Sequence, residues 1–400
     1  LRSGKLDNFA FYLPTRIYFG RGGEKNIGEI LKSYGAKNVL LHYGSGSIKK
    51  SGLFDTITNA LRLSGINYTE LGGVVPNPRL SKVYEGISLC RKNNIDFILA
   101  AGGGSVIDSA KAIALGTYYG GDVWDYFKDN STKVEKALPI GVVLTIAAAG
   151  SESSYNLVIT EEEGKLKRSY FSDLLRPKFA VLNPELCFTL PQNQIANGIA
   201  DIIAHMLERY FTPQPCDDIN DRLLEGGIKT MIKYGPLTLK NPANYDYWAQ
   251  VMWTGCIAHN NMLSCGRKGD WASHALEHEI SALYDVAHGA GLSVIFPAWM
   301  KYVYKNDVTH FAKYASRVFD METDLYNPEI TALKGIAALK DFFARLNLPV
   351  SAQQIGMREE DIEIMAQKLI NRDKSGYVGN FVKLGLEDII NIYKLAFIRD

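Results

Sequence analysis

At 400 residues the chain is longer than one ordinary hydrophobic core serves, so two domains are expected. With 46% apolar and 22% charged residues it reads as a soluble globular protein. The 44 Lys+Arg against 43 Asp+Glu leave a formal charge of +1, which excludes a global field drawing it to nucleic acid or membrane.

Five cysteines (Cys90, Cys187, Cys216, Cys256, Cys265) are odd in number and never spaced as CxxC, which argues against a disulfide framework and a thiolate zinc site. No run of about 18 uninterrupted apolar residues and no apolar leader stands out, so the expected location is the cytoplasm. The tripeptides Asn67-Tyr-Thr and Asn130-Ser-Thr then read as chance matches to the glycosylation signal.

From residue 16 onward, β-rich runs alternate with helical stretches. RIYFG (16–20) predicts a strand, followed by a helix over 23–34; NVLLHY (38–43) precedes a helix over 52–64. NYTEL (67–71), a helix over 79–93, DFILAA (96–101) and a helix over 105–115 continue the alternation. PIGVVLT (139–145) resumes strand, and NLVIT (156–160) and KFAVL (178–182) read as the last strands. Alternation at this spacing predicts a parallel, Rossmann-like sheet covered by helices. Beyond Pro191 the apolar residues take helical spacing and strand-like runs nearly vanish. The expected organisation is an α/β domain over 1–187 and an all-helical domain over 188–400, with a cleft between them.

Strand DFILAA runs into Gly102, Gly103, Gly104 and Ser105 and then a helix. Three glycines let backbone approach a ligand closely, and the helix start offers free N–H groups and a positive dipole end, a place suited to a pyrophosphate. The plainer alternative is that Ser105 and Asp108 form a capping box and nothing more. A second turn, Gly44-Ser45-Gly46-Ser47, follows NVLLHY and precedes Lys49 and Lys50. In a dinucleotide fold the adenosine ribose lies at such a strand end, where an acid would accept its 2′-hydroxyl. This turn has no Asp or Glu, and its small residues leave room for a 2′-phosphate, which favours NADP(H) with NAD(H) also possible. An ordinary tight turn with solvated lysines is the competing reading.

Asp201 and His205 sit one helical turn apart beside the apolar stripe Ile195, Ile199, Ile202, Met206 and Tyr210. The stretch SHALEHEISALYDVAHG (273–289) adds His274 and His278, also four apart, and His288 ten further on. One carboxylate with two or three imidazoles suits a borderline divalent cation: Fe²⁺ or Zn²⁺, with Ni²⁺ or Mn²⁺ possible. Spacing alone nominates His274 and His278 as the helical pair. Packing or capping histidines are the alternative.

These residues resemble the iron-containing (group III) alcohol dehydrogenases, and within them the bacterial NAD(P)H-dependent butanol dehydrogenases. The resemblance runs through PTRIYFGRG, YGSGSIKKSG, VVPNPRL, DFILAAGGGSVIDSAKAIA, GIADIIAHMLERY and GDWASHALEHEISALYDVAHGAGL. It implies the dehydroquinate synthase-like, iron-type alcohol dehydrogenase fold and a homodimer with an N-terminal edge strand near the partner subunit. It also implies metal ligation by Asp201, His205, His274 and His288, with His278 outside the ligand set, near substrate and nicotinamide. Gly102 to Asp108 match the pyrophosphate motif, residues 44–47 the loop near the adenosine ribose, and Thr145, Ser151 and Lys167 further cofactor positions. Two departures are Ala149, where relatives carry a threonine, and Ser154, where they carry an asparagine. The glycines after His288 are expected to turn the chain so that this ligand swings back to the preceding helix.

The expected activity is metal-dependent, NAD(P)H-linked interconversion of small primary alcohols and aldehydes, with His278 relaying a proton or only positioning substrate or cofactor. Rival expectations are a dehydroquinate synthase-like lyase and a non-catalytic nucleotide- or metal-binding protein. The Ala, Ile, Leu and Trp271 around the histidines disfavour the lyase, which needs a basic cluster.

Overall fold

The computed structural model describes residues 6–128, 132–214, 218–372 and 375–398; Asn130 of the second glycosylation-like tripeptide and Cys216 lie outside them. The strands are β1 (Arg16–Phe19), β2 (Asn38–Gly44), β3 (Asn67–Val74), β4 (Phe97–Gly102), β5 (Ile140–Leu144), β6 (Asn156–Glu161), β7 (Leu166–Phe171) and β8 (Phe179–Leu182). The helices begin with α1 (Ile27–Ser33), α2 (Ser47–Lys50), α3 (Leu53–Leu63), α4 (Leu80–Lys92), α5 (Gly104–Thr117) and α6 (Asp125–Lys128). They continue with α7 (Gln192–Tyr210), α8 (Asp218–Lys240), α9 (Tyr245–His259), α10 (Ala272–Tyr284) and α11 (His288–Val303), then α12 (Val308–Phe319), α13 (Pro328–Arg345), α14 (Ile362–Ile370) and α15 (Leu386–Leu395).

The chain divides into two compact units. One comprises Tyr12–Leu190 with Pro242–Asn260; the other Pro191–Asn241 and Asn261–Asp400 with the N-terminal residues up to Phe11. Six strands of the first unit form one parallel sheet in the order β1-β8-β5-β4-β2-β3. Strands β4, β5 and β8 (FILAAG, IGVVL, FAVL) are buried at every position. That is why they read as continuous apolar runs: a parallel sheet is covered by helices on both faces. One face of the sheet, with Val39, Leu41, Phe97, Leu99, Val143, Phe179 and Val181, packs on Ile27, Ile30 and Leu31 of α1 and Ile57 and Leu61 of α3.

Two features depart from the sequence expectation. NLVIT does form a strand, β6, but it does not extend the parallel sheet. It pairs antiparallel with β7, from Asn156 opposite Phe171 to Glu161 opposite Leu166. Strand β7, LKRSYF, carries two basic residues and shows no strand-like apolar alternation. The second feature is α9, which follows residue 188 yet belongs to the α/β unit. Phe19 meets Trp253 edge to face, the Arg21 guanidinium lies 3.9 Å from the Tyr245 ring centre, and Asn156 Nδ2 lies 3.2 Å from His259 Nε2.

In the helical unit, α7 is buried almost throughout from Ile195 to Tyr210, its polar Asp201, His205, Glu208 and Arg209 included, so these groups need internal partners. Helix α11 packs on α7 and α10. Among the described residues no helix is long and apolar enough to cross a membrane, and Cys90, Cys187, Cys256 and Cys265 are free thiols.

Candidate functional site

The polar face of α7 follows from its sequence. Asp201, His205 and Glu208 stand at i, i+4 and i+7, one above the other, and all are buried. Helix α10 brings His274 beside them. Asp201, His205 and His274 can each offer a donor atom within 4.8 Å of the others, and the rings of His205 and His274 lie 4.7 Å apart. Asp201 Oδ1 is 3.2 Å from His205 Nδ1 and 3.9 Å from His288 Nε2. His288 is also grouped with His278 and Glu277. Its ring lies 5.2 Å from that of His274 and 5.6 Å from that of His278. The pair that helical spacing nominates, His274 with His278, is therefore divided between two separate groups, which His288 links through its approach to Asp201.

His288 reaches this place by a different route from the one expected. The chain reverses before it: α10 ends at Tyr284, the next residue Asp285 adopts φ +54°, and His288 opens α11. Gly289 and Gly291 lie inside α11 and make close packing possible. A Cβ on Gly289 would stand 2.1 Å from the Asn197 carbonyl oxygen of α7, and one on Gly291 2.6 Å from Glu277 Cγ of α10.

Two carboxylates outside the expected ligand set fix the rings. Glu208 Oε1 accepts the His274 backbone N–H (2.9 Å) and Nδ1–H (2.7 Å), while Oε2 accepts the Trp271 N–H (2.6 Å). Glu277 accepts the His288 Nδ1–H and the Ser281 hydroxyl. With Nδ1 donating, each imidazole carries its lone pair on Nε2. His274 Nε2 is buried and has no hydrogen-bond partner, and His288 Nε2 faces a carboxylate oxygen of Asp201. Buried lone pairs gathered against a carboxylate are stable once a cation joins them. Carboxylate, imidazoles and supporting acids therefore fit a divalent metal ion. The signal for Glu208 was present in sequence, seven residues after Asp201 on one face; Glu277, three residues after His274, had none.

Trp271 precedes α10 in the left-handed region at φ +66°, unusual for a bulky residue. Its ring stands 5.3 Å from that of His274 and 6.2 Å from that of His205. Asp270 ties this bend to the C-terminal segment by accepting the backbone N–H groups of Ala272, Asn380 and Phe381.

In the α/β unit the carboxyl ends of three adjacent strands bring the glycine and hydroxyl motifs side by side. Tyr43 of β2 pairs with Ala101 of β4, Gly102 of β4 pairs with Leu144 of β5, and the Thr145 N–H donates to the Gly102 carbonyl (3.1 Å). A side chain would crowd a neighbour at each glycine of the triple, most of all at Gly102 and Gly103. A Cβ on Gly102 would meet Val106, on Gly103 Ile146 and on Gly104 Ala149, at 2.5, 2.9 and 3.0 Å. Helix α5 starts at Gly104 with no side-chain cap, so the Ser105/Asp108 capping box does not form.

Asp108 is turned inward instead. It accepts the Ser151 hydroxyl (2.6 Å) and the Val158 N–H (2.9 Å). Lys111, fully buried, donates to Ser151 O and Oγ, Ser154 O and Oγ, and Asn156 O, at 2.8 to 3.3 Å. Burial lowers the Lys111 ammonium to about 8, with Asp108 and Glu152 opposing the shift, and raises Asp108 above the usual carboxylate range. The hydroxyls of Ser151 and Ser154 are thus engaged within the protein. Asp108 and Lys111 thereby tie the segment from Ser151 to Val158 to α5, the helix that follows the glycine turn. Lys167 lies buried on β7 opposite Thr160.

The turn after β2 contains Gly46 at φ +120°, and Ser47 begins α2. Here the structure adds a residue that sequence reasoning missed: Glu70 of β3 bonds both flanks of the turn, Tyr43 and Lys49. The acid is 23 positions beyond Ser47, too far for a local motif to reveal.

Comparison with known proteins places these features in context. Residues 14–184 match the model of the iron-containing alcohol dehydrogenases, and residues 195–397 the C-terminal model of the Fe-containing alcohol dehydrogenase family. NADH-dependent butanol dehydrogenase A of Clostridium acetobutylicum is 40% identical, over 98% of this chain and 100% of that protein. The NADPH-dependent aldehyde reductase YqhD of Escherichia coli is 36% identical over 91% of this chain and 93% of that protein. The crystal structure of NADH-dependent butanol dehydrogenase A from Thermotoga maritima superposes with a TM-score of 0.95 at 42% identity, covering 99% of this chain and 100% of that one.

Proposed function

The chain belongs to the iron-containing alcohol dehydrogenase family, and we propose on that basis that it interconverts small, butanol-like primary alcohols and aldehydes using a nicotinamide dinucleotide and one divalent metal ion. The observation that carries the proposal is the convergence of Asp201, His205 and His274 with His288, where the buried His274 Nε2 lacks a partner. These four residues would hold the ion, Fe²⁺ or Zn²⁺ first, with Ni²⁺ or Mn²⁺ compatible with the same donors. When bound, such an ion supplies Lewis acidity toward a substrate oxygen, and the nicotinamide supplies or accepts hydride.

The chain's own residues do the rest. Glu208 and Glu277 keep His274 and His288 in the tautomer that presents Nε2. His278, beside His288, exchanges the proton of the substrate hydroxyl through a ring nitrogen. Gly102, Gly103, Gly104 and the start of α5 receive the pyrophosphate. Thr145 and the segment through Ser151, held by Asp108 and Lys111, border it, and Lys167 completes the set.

The small turn Gly44-Ser45-Gly46-Ser47 supports NADP(H) and accommodates NAD(H). The two relatives divide in the same way, the butanol dehydrogenase being NADH-dependent and the aldehyde reductase NADPH-dependent. A homodimer acting in the cytoplasm completes the proposal. The test is oxidation of NADPH and NADH across an aldehyde series that includes butanal. Sustained, stoichiometric oxidation is expected; a lyase that recycles its cofactor, or a mere binding protein, would give no net oxidation.

A further inference from the structure

We propose that Glu70 limits the preference for NADPH by occupying Lys49, which stands on α2 just after the turn at the end of β2. The inference rests on the dinucleotide reading above. Strand β2 lies next to β4, whose end carries the triple glycine, so the adenosine half of a dinucleotide bound there crosses the end of β2. In the usual arrangement an acid at this strand end accepts the ribose hydroxyls, and a nearby cation accommodates a 2′-phosphate.

Here both charges are present and bonded to each other. Glu70 Oε2 accepts the Tyr43 hydroxyl (2.8 Å) from the residue before the turn and the Lys49 ammonium (2.9 Å) from the helix after it. Lys49 Nζ also stands 4.5 Å from the Phe54 ring centre and 5.3 Å from that of Tyr43, which gives the ammonium a defined seat. The Lys49 contact, and after it the Tyr43 hydroxyl, hold the Glu70 carboxyl below its ordinary range against a partly opposing burial, so the pair is charged at neutral pH. A 2′-phosphate approaching the turn therefore meets a neutralised lysine and a neighbouring carboxylate. It gains the undivided charge of Lys49 only by displacing Glu70, and otherwise shares the ammonium with a carboxylate that repels it, whereas a ribose hydroxyl requires no displacement.

The experiment measures kcat/KM for NADPH and for NADH in the wild type, Glu70→Gln, Lys49→Met and the double variant. Glu70 and Lys49 side chains are 39% and 47% exposed, so the substitutions leave the core intact. Glu70→Gln keeps an acceptor for Tyr43 and Lys49 but removes the charge. The expected result is a rise of about tenfold in the NADPH:NADH ratio, carried by NADPH, that disappears in the double variant. An unchanged ratio overturns the inference. So does a rise that persists without Lys49, or a ratio that changes only through loss of NADH use, which would make Glu70 a direct ribose contact. Fluorescence titration of both reduced dinucleotides without aldehyde separates the two levels of claim. Wild-type protein that binds neither contradicts the proposed function; wild-type protein that binds both, with an unaltered ratio in Glu70→Gln, contradicts only this inference.

Discussion

Glu208 is the residue on which the proposed metal site depends beyond its four proposed ligands. It is fully buried and takes three N–H donors, two from His274 and one from Trp271. Glu208→Gln would turn an amide N–H₂ toward one of those donors and withdraw the charge that supports the imidazole. Metal affinity should fall about 10- to 100-fold, as measured by competition with a chromophoric chelator; unaltered affinity would remove Glu208 from the account. His278 makes the opposite prediction. His278→Ala should keep the metal and lose turnover by about 10²- to 10⁴-fold, whereas loss of metal on that substitution would mean that the ligand assignment is wrong. Spacing in the sequence nominates His278 as a ligand because i, i+4 positions share a face, and the proposed set leaves it out. What it could not show is where His288 returns, since that depends on the left-handed residue at Asp285 and on the packing of α11.

At the level of elements, α11 carries His288 at its first residue and needs two glycines to reach its neighbours. Gly289→Ala should destabilise the protein by about 1–3 kcal/mol and weaken metal binding, because the clash with backbone of α7 falls one residue from His288, a proposed ligand. Gly226, within α8, meets nothing within 4 Å, so Gly226→Ala should leave metal binding alone and raise stability by up to about 1 kcal/mol. Urea denaturation and chelator competition on both variants check the contrast, and equal effects would refute it. The parallel strands were legible because full burial on both faces leaves a continuous apolar signature, as in FILAAG. The β6–β7 hairpin was not, because a strand's own pattern does not name its partner and LKRSYF spends its faces on charge. The Glu70 contact escaped for the same reason: β2 and β3 are paired by the sheet, not by proximity in the chain.

For the molecule as a whole, the core of the α/β unit contains a titratable group that makes stability depend on pH. His42 of β2 donates from Nδ1 to the Leu71 carbonyl (2.8 Å) and accepts the Ser109 hydroxyl at Nε2 (2.9 Å), an arrangement for the neutral ring. Burial lowers it to about 4, against the Leu71 bond, which opposes the shift. The unfolded chain, titrating near 6.5, binds the proton first, so stability is complete above pH 6.5 and falls as pH drops toward 4. The loss attributable to His42 is about 3 kcal/mol. Urea unfolding from pH 7.5 to 4.5 should show this slope, and His42→Gln should flatten it; an unchanged slope would show that His42 is not its source. The central claim is that Asp201, His205, His274 and His288 hold an ion on which alcohol–aldehyde chemistry depends. Its most direct test is butanal-driven oxidation of NADPH or NADH by protein stripped of metal with chelator and then resupplied. The account predicts no turnover when stripped and recovery with about one equivalent of Fe²⁺ or Zn²⁺ per chain; full turnover by protein verified as metal-free would contradict it.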